Sequence, residues 1–205
     1  MIDKELSREI RDAADSSLTK IEDRVSRLRV IETIFFGLSL GSILALAAIG
    51  LSISFGVMGV INMAHGELIM LGAYTTYGVQ LLMPDLIEYS LLIAVPAAFL
   101  VTGLIGVCIE RSVIRFLYGR PLETLLATFG ISLILQQAVR TIFSPLNRSV
   151  VSPDWMSGSL EVAQGLSITY NRLYIFVFAL LVFAVLLAIM QKTRLGLEVR
   201  AVTQN

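Results

Sequence analysis

The stretch "IFFGLSLGSILALAAIGLSISFGVMGVINMAHGELIMLGAY" fills residues 34–74. Residues 34–55 carry no charge, and at about 1.5 Å of helix rise per residue they suffice to cross about 30 Å of hydrocarbon. The run then breaks into Gly56, Gly59, Asn62, His65, Gly66 and Glu67 before turning apolar again. Each of those polar groups costs free energy in lipid unless protein or trapped water satisfies it. The pattern predicts a helix that unwinds at Gly56 and Gly59 and restarts near Ala64. Asn62 is placed to cap the orphaned backbone groups, and His65 and Glu67 flank the restart. Such a break belongs to a solute pathway or gate, or is a tight turn at the membrane surface with its charges among headgroups.

Composition extends the membrane reading to the whole chain. Of 205 residues, 56% are hydrophobic and 16% charged, with a mean hydropathy of +0.79. Apolar runs near the length of a bilayer span recur, which predicts an all-α fold: a polytopic transmembrane helix bundle of about five spans. Net charge is zero, so there is no basic surface for nucleic acid and no motif for it. Cys108, the single cysteine, lies in an apolar run and has no partner thiol.

Residues 1–32 differ from the rest. "MIDKELSREIRDAADSSLTKIEDRVSRLRV" mixes both charge signs and has no apolar core that would make it a secretory signal. Leu6, Ile10, Ala13, Ser17, Ile21, Leu28 and Ile31 fall at three- and four-residue spacing, and Glu5–Arg8 and Asp23–Arg27 are helical neighbours. The segment reads as an amphipathic surface helix leading into a membrane domain over 33–205. In the first span, 34–55, Gly37 and Gly41 with Ala45 form a small-residue row suited to close helix packing. Further spans are expected at about 66–83, 90–109 (with Pro96 as a kink), 122–143 and 173–190. The last of these is bulky and predicted to face lipid. Arg111, Arg115 and Arg120 between spans three and four, and Lys192, Arg194 and Arg200 after span five, put those loops in the cytoplasm by the positive-inside rule. The loops near 84–89 and 144–171 then lie outside, and counting back through five spans leaves the N-terminus outside, or inside if the 56–65 break is re-entrant.

Catalytic and metal chemistry find no support. One His and one Glu two residues apart do not complete a zinc set, no nucleophile elbow is present, and no phosphate-binding GxxxxGK[ST] occurs. Span four instead carries Thr124, Thr128, Ser132, Gln136 and Arg140 at every fourth residue, with Gln137 adjacent, and span two repeats the pattern with Gly72, Thr76 and Gln80. Steps of four wind slowly round a 3.6-residue helix. These ladders either line a polar path or serve their own helices, since Thr and Ser bond the i−4 carbonyl and Gln joins helices.

"GLSLGSILALAAIGLSISFGVMGVINMAHGELIMLGAYTTY" and "RPLETLLATFGISLILQQAVR" resemble the inner-membrane permeases of the branched-chain amino acid class of ABC importers, and within it the urea branch. The resemblance covers about residues 36–205. It implies a multi-pass permease of the bacterial inner membrane, not itself an enzyme and without cofactor. Its partners would be a sister permease subunit, two cytoplasmic ATP-binding subunits, a periplasmic solute-binding protein and membrane lipid. It also implies that "TRLGLEVRAVTQN" is the element that docks on an ATPase, with Arg194, Leu195, Gly196, Glu198, Val199 and Arg200 in the docking segment. Permeases of this class continue past the position of Asn205 with about three more spans, so a truncated chain is expected. The substrate implied is urea, a small neutral solute for which hydroxyls and amides such as Thr76, Gln80, Gln136 and Gln137 suffice. A zwitterionic amino acid would want paired charges or helix ends. Branched-chain amino acids are the alternative within the class, and a passive small-solute channel is the alternative outside it.

Overall fold

A computed structural model describes residues 2–59, 61–163, 166–194, 196–197 and 201. Their helices are α1 (Ile2–Met58), α2 (His65–Leu82), α3 (Ile87–Ser112), α4 (Pro121–Phe143) and α5 (Tyr170–Lys192). Short 3₁₀ turns at Pro84–Leu86, Ile114–Leu117 and Asp154–Met156 join them, and a small hairpin, β1 (Ser159–Ala163) with β2 (Leu166–Thr169), precedes α5. The all-α bundle expected from the sequence is the observed architecture. Four helices are long and apolar enough to cross a membrane: the 13–56 part of α1, α3 with its preceding turn, α4 and α5. The expected span at 66–83 is a helix of 18 residues, but His65, Glu67 and Gln80 make it too polar to pass the same test. It can lie in the bilayer only with those groups covered by protein.

The predicted amphipathic helix and first span are one uninterrupted helix, α1, of 57 residues. At 1.5 Å per residue it is about 85 Å long, far more than the roughly 30 Å of a hydrocarbon core. Its charged first half therefore extends beyond the bilayer. Helix continuity also includes Gly56; the chain leaves the helix only after Met58. Within the connection expected at 144–171 lies the antiparallel hairpin, with Leu160 opposite Ile168 and an irregularity between Glu161 and Ala163.

Side-chain contacts give the relative directions. Ser39 Oγ donates to the Arg172 carbonyl (3.2 Å), the Arg172 guanidinium lies 3.7 Å above the Phe36 ring, and further along Leu46 and Ile49 face Ala179 and Phe183. Both chains advance together, so α1 and α5 are parallel. Gly72 faces Ala98 and Thr102, while Gln80 meets Ser90, so α2 and α3 are antiparallel. Met63 meets Thr128, Glu67 meets Gln136, and Tyr74 and Phe143 stack at 4.9 Å, so α2 and α4 are parallel. The extended half of α1 thus shares a side with the 144–169 segment, and the 113–120 connection shares the other side with the residues after α5. This agrees with the relative placement deduced from loop charge.

The interior is polar. Among the described residues the buried apolar side chains are Ala64, Ala94, Ile114, Val139, Pro153 and Ala179, whereas Ser39, Asn62, Gln80, Ser90, Thr124, Thr128 and Ser132 are all buried. Large aliphatic and aromatic residues such as Leu104, Phe99 and Leu126 point outward. Lipid, rather than water, is the medium that covers such a surface, and polar contacts with close packing then hold the helices together. Ala179 alone is buried along α5, as expected for a lipid-facing span. Among the described residues a Cβ built at Gly37 or Gly41 meets nothing within 4 Å, while Ala45, the third member of the row, lies beside Ala179 and Phe183 of α5. Ser39 lies about 200° round the helix from Gly37, so its contact with α5 is on the face opposite that glycine.

Candidate functional site

The break between α1 and α2 is built from backbone groups that lost their helical partners. Gly59 takes φ +66°, a left-handed conformation that suits glycine, and its N–H closes α1 on the Phe55 carbonyl at 2.8 Å. Asn62 is buried and its Oδ1 accepts the Ala64 N–H at 3.0 Å, which fixes the turn just before α2; the N-cap position itself is Ala64, which has no side-chain cap bond. Thr128 Oγ1, from α4, accepts the Met63 N–H at 3.2 Å. His65 Nε2 lies 3.2 Å from the Ala47 carbonyl; because a carbonyl only accepts, this contact needs the proton on Nε2. Gly50 lies against the ring: a Cβ there would sit 3.4 Å from His65 Cε1, at van der Waals contact. Gly50 was not singled out in the sequence, where it is one more small residue in an apolar run. The described residues of the break thus touch α1 on one side and α4 on the other, with Ile61 and Met63 exposed, and α2 starts beside residue 47 of α1, short of that helix's end at Met58.

Two residues into α2, Glu67 turns away from α1 towards α4. Gln136 Nε2 donates to Glu67 Oε1 at 2.7 Å and lies 3.4 Å from Ser132 Oγ. Glu67 Oε2 is buried with no hydrogen-bond partner among the described residues. Beside this pair opens a cavity of about 290 Å³. Gly66, Glu67, Gln136, Arg140, Ser144 and Asn147 supply its polar lining; Met70, Tyr74, Val139 and Pro145 complete it.

The four-residue ladder on α4 therefore divides into two. Thr124 Oγ1 donates within reach of the Leu117 (3.0 Å) and Arg120 (2.9 Å) carbonyls, and Thr128 Oγ1 donates to Leu125 (3.1 Å) while accepting from Met63. These two hold backbone and are fully buried. Gln136 and Arg140, the next members past Ser132, reach the cavity. Gln137 is exposed on a different face, away from it. On α2, Thr76 Oγ1 bonds the Gly72 carbonyl of its own helix at 3.1 Å. Gln80 is occupied as a strap: its Nε2 donates to the Val151 carbonyl (2.8 Å) and Ser90 Oγ (3.2 Å), and its Oε1 accepts the Val151 N–H (3.0 Å). The strap ties the segment after α4 over α2, and that segment brings Ser144, Pro145 and Asn147 to the cavity. Asn147 carries no sequence signal for this role, because its loop is placed by tertiary contacts: Gln80, Phe143 against Tyr74 and Tyr77, and Arg148 Nε on the Phe143 carbonyl.

At the opposite end, α5 stops at Lys192, and Thr193 turns extended with its Oγ1 on the Ile189 carbonyl at 2.6 Å. Helical residues resume at Arg194, Gly196 and Leu197. Gly196 is buried against the Met190 carbonyl, where a Cβ would overlap backbone. Leu195, Glu198, Val199 and Arg200 of the expected docking segment lie outside the described residues.

A family model described as the permease component of branched-chain amino acid transport systems matches residues 33–205. The chain belongs to this family. It is 33% identical over 178 residues to a high-affinity branched-chain amino acid permease protein, BraD, of Pseudomonas aeruginosa, covering 82% of this chain and 57% of that one. It is 30% identical over 189 residues to LivH of Salmonella typhimurium and 29% identical over 187 residues to LivH of Escherichia coli K12, covering 87% of this chain and 60% of each relative. The chain therefore spans about three fifths of the length of these relatives. No solved structure matches it. With its apolar helices, the family membership makes this a multi-pass membrane protein. The relatives carry amino acid transport in their names; urea, the solute expected from the sequence resemblance, is named in none of those cited.

Proposed function

We propose that the chain is a membrane-spanning permease component of a bacterial ATP-driven importer, and that the cleft between α2 and α4 is part of its solute path. The observation that carries this reading is a polar, partly unsatisfied site inside the helix bundle, with Glu67 Oε2 buried beside a cavity and the backbone broken next to it. Intramembrane ionisable groups are costly to keep and belong to pathways by default. Family membership supplies the importer class.

Transport would draw on a sister permease, two ATP-binding subunits and a periplasmic binding protein, with the residues after α5 meeting an ATPase at the inner membrane's cytoplasmic face. Branched-chain amino acids are better supported as substrate than urea, because the matched relatives transport them by name and the cavity holds both a carboxylate and a guanidinium. Uptake of labelled leucine and labelled urea into cells carrying the full gene and its partner genes tests this. Leucine uptake that needs both the gene and ATP is the expected result. Urea uptake that ignores leucine would restore the urea substrate, and uptake that survives ATP depletion would replace the importer by a channel.

A further inference from the structure

Resting on that reading, we infer that the cavity beside Glu67 is a recognition site for one free zwitterionic α-amino acid, with Glu67 taking its ammonium group and Arg140 its carboxylate. Three features of the cavity lead there. Gln136 holds Glu67 Oε1, the Ser132 hydroxyl lies beside the carboxylate, and the buried Oε2 makes no hydrogen bond among the described residues. An unpaired carboxylate oxygen at that depth costs free energy that a ligand N–H would recover. The terminal carboxylate torsion is broad and soft, so turning Oε2 towards the cavity while Gln136 keeps its hold needs little work.

The second feature is Arg140. It stands in the last turn of α4 and lines the same cavity, and no described carboxylate pairs with it. A guanidinium is always charged and presents a planar fork that matches a carboxylate. Acid and base on one cavity wall, not neutralising one another, form a template for a molecule carrying both charges. Third, Met70, Tyr74 and Val139 add an apolar wall for a side chain. A volume of about 290 Å³ suits one small metabolite rather than a peptide. Urea has no charge to offer either group.

The test uses the whole permease–ATPase complex in nanodiscs, without binding protein, with Cys108→Ser removing the native thiol and Asn147→Cys placing a reporter at the rim. The reading is the rate of thiosulfonate labelling against ligand concentration. L-leucine should slow labelling, while leucinamide and 4-methylpentanoate, each lacking one charge, should need about ten- to a hundredfold more, as expected for loss of one charge-assisted bond. Urea should leave the rate unchanged. Glu67→Gln should abolish the preference for leucine over 4-methylpentanoate but keep that over leucinamide, and Arg140→Gln should do the reverse. Equilibrium dialysis of labelled leucine against the same competitors on the unmodified complex reads the same ranking without any cysteine variant. Analogues that compete as well as leucine, or urea competing alone, would overturn the inference. Gene- and ATP-dependent leucine uptake together with no leucine effect at the cavity would sink the recognition site and leave the importer standing. Absence of that uptake would sink the importer itself.

Discussion

Gln80→Leu isolates the strap that roofs the cavity. The native side chain makes three hydrogen bonds, to Ser90 Oγ at 3.2 Å, the Val151 carbonyl at 2.8 Å and the Val151 N–H at 3.0 Å, and is buried. Leucine keeps most of the volume and removes all three. At about 1 kcal/mol net per neutral bond the loss is about 3 kcal/mol. Two corrections reduce it. The Ser90 bond is long, and Ser90 keeps its own donation to the Ile87 carbonyl at 2.6 Å. Val151 is exposed, so its freed backbone groups can turn to water instead of remaining unpaired. The expected loss is therefore about 2 kcal/mol, or on the order of 5 °C in melting temperature for a chain of this size.

The assay is detergent thermal unfolding followed by size exclusion, alongside limited proteolysis of the 144–153 segment. Gln80→Leu should melt earlier and be cut faster there. Thr76→Ala, one turn earlier on α2, loses only a bond to its own helix at the Gly72 carbonyl and should melt within about 1 °C of wild type. Equal melting and equal cleavage of Gln80→Leu and wild type would refute the strap.

Asn62→Ala removes the acceptor for the Ala64 N–H in the turn before α2 and should cost about 1 kcal/mol, checked by the same melting assay with Asn62→Asp as the variant that keeps the acceptor. Trp155→Phe keeps an aromatic ring against Tyr174, whose centroid is 5.1 Å away, but loses the indole N–H donation to the Glu88 carbonyl at 2.9 Å. It should destabilise by about 1 kcal/mol, whereas Trp155→Ala, which also loses the packing of a partly exposed ring, should cost about 2 kcal/mol. Gly196→Ala places a Cβ into the Met190 backbone and should open the turn after α5, read as weaker co-purification of the ATP-binding subunits with unchanged membrane insertion.

The class of this protein was determined by its one-dimensional pattern. Apolar runs of bilayer length, with arginine-bearing connections gathered on one side, require helices crossing a membrane, because no other open backbone arrangement satisfies its own hydrogen bonds in lipid. The break could be located too, since Gly59 and Asn62 are residue types that serve a left-handed turn and a side-chain-bonded turn wherever they stand. Which polar residues serve the chain and which face a cavity was not readable along the sequence. Thr128 and Gln136 belong to one ladder of equal spacing, yet one accepts the Met63 amide and the other holds Glu67 beside open space. Spacing sets only the angle of a side chain about its own helix. The neighbour it meets depends on how α2, α4 and the loop strapped by Gln80 come together, and Arg140 and Asn147 share a cavity only through that packing.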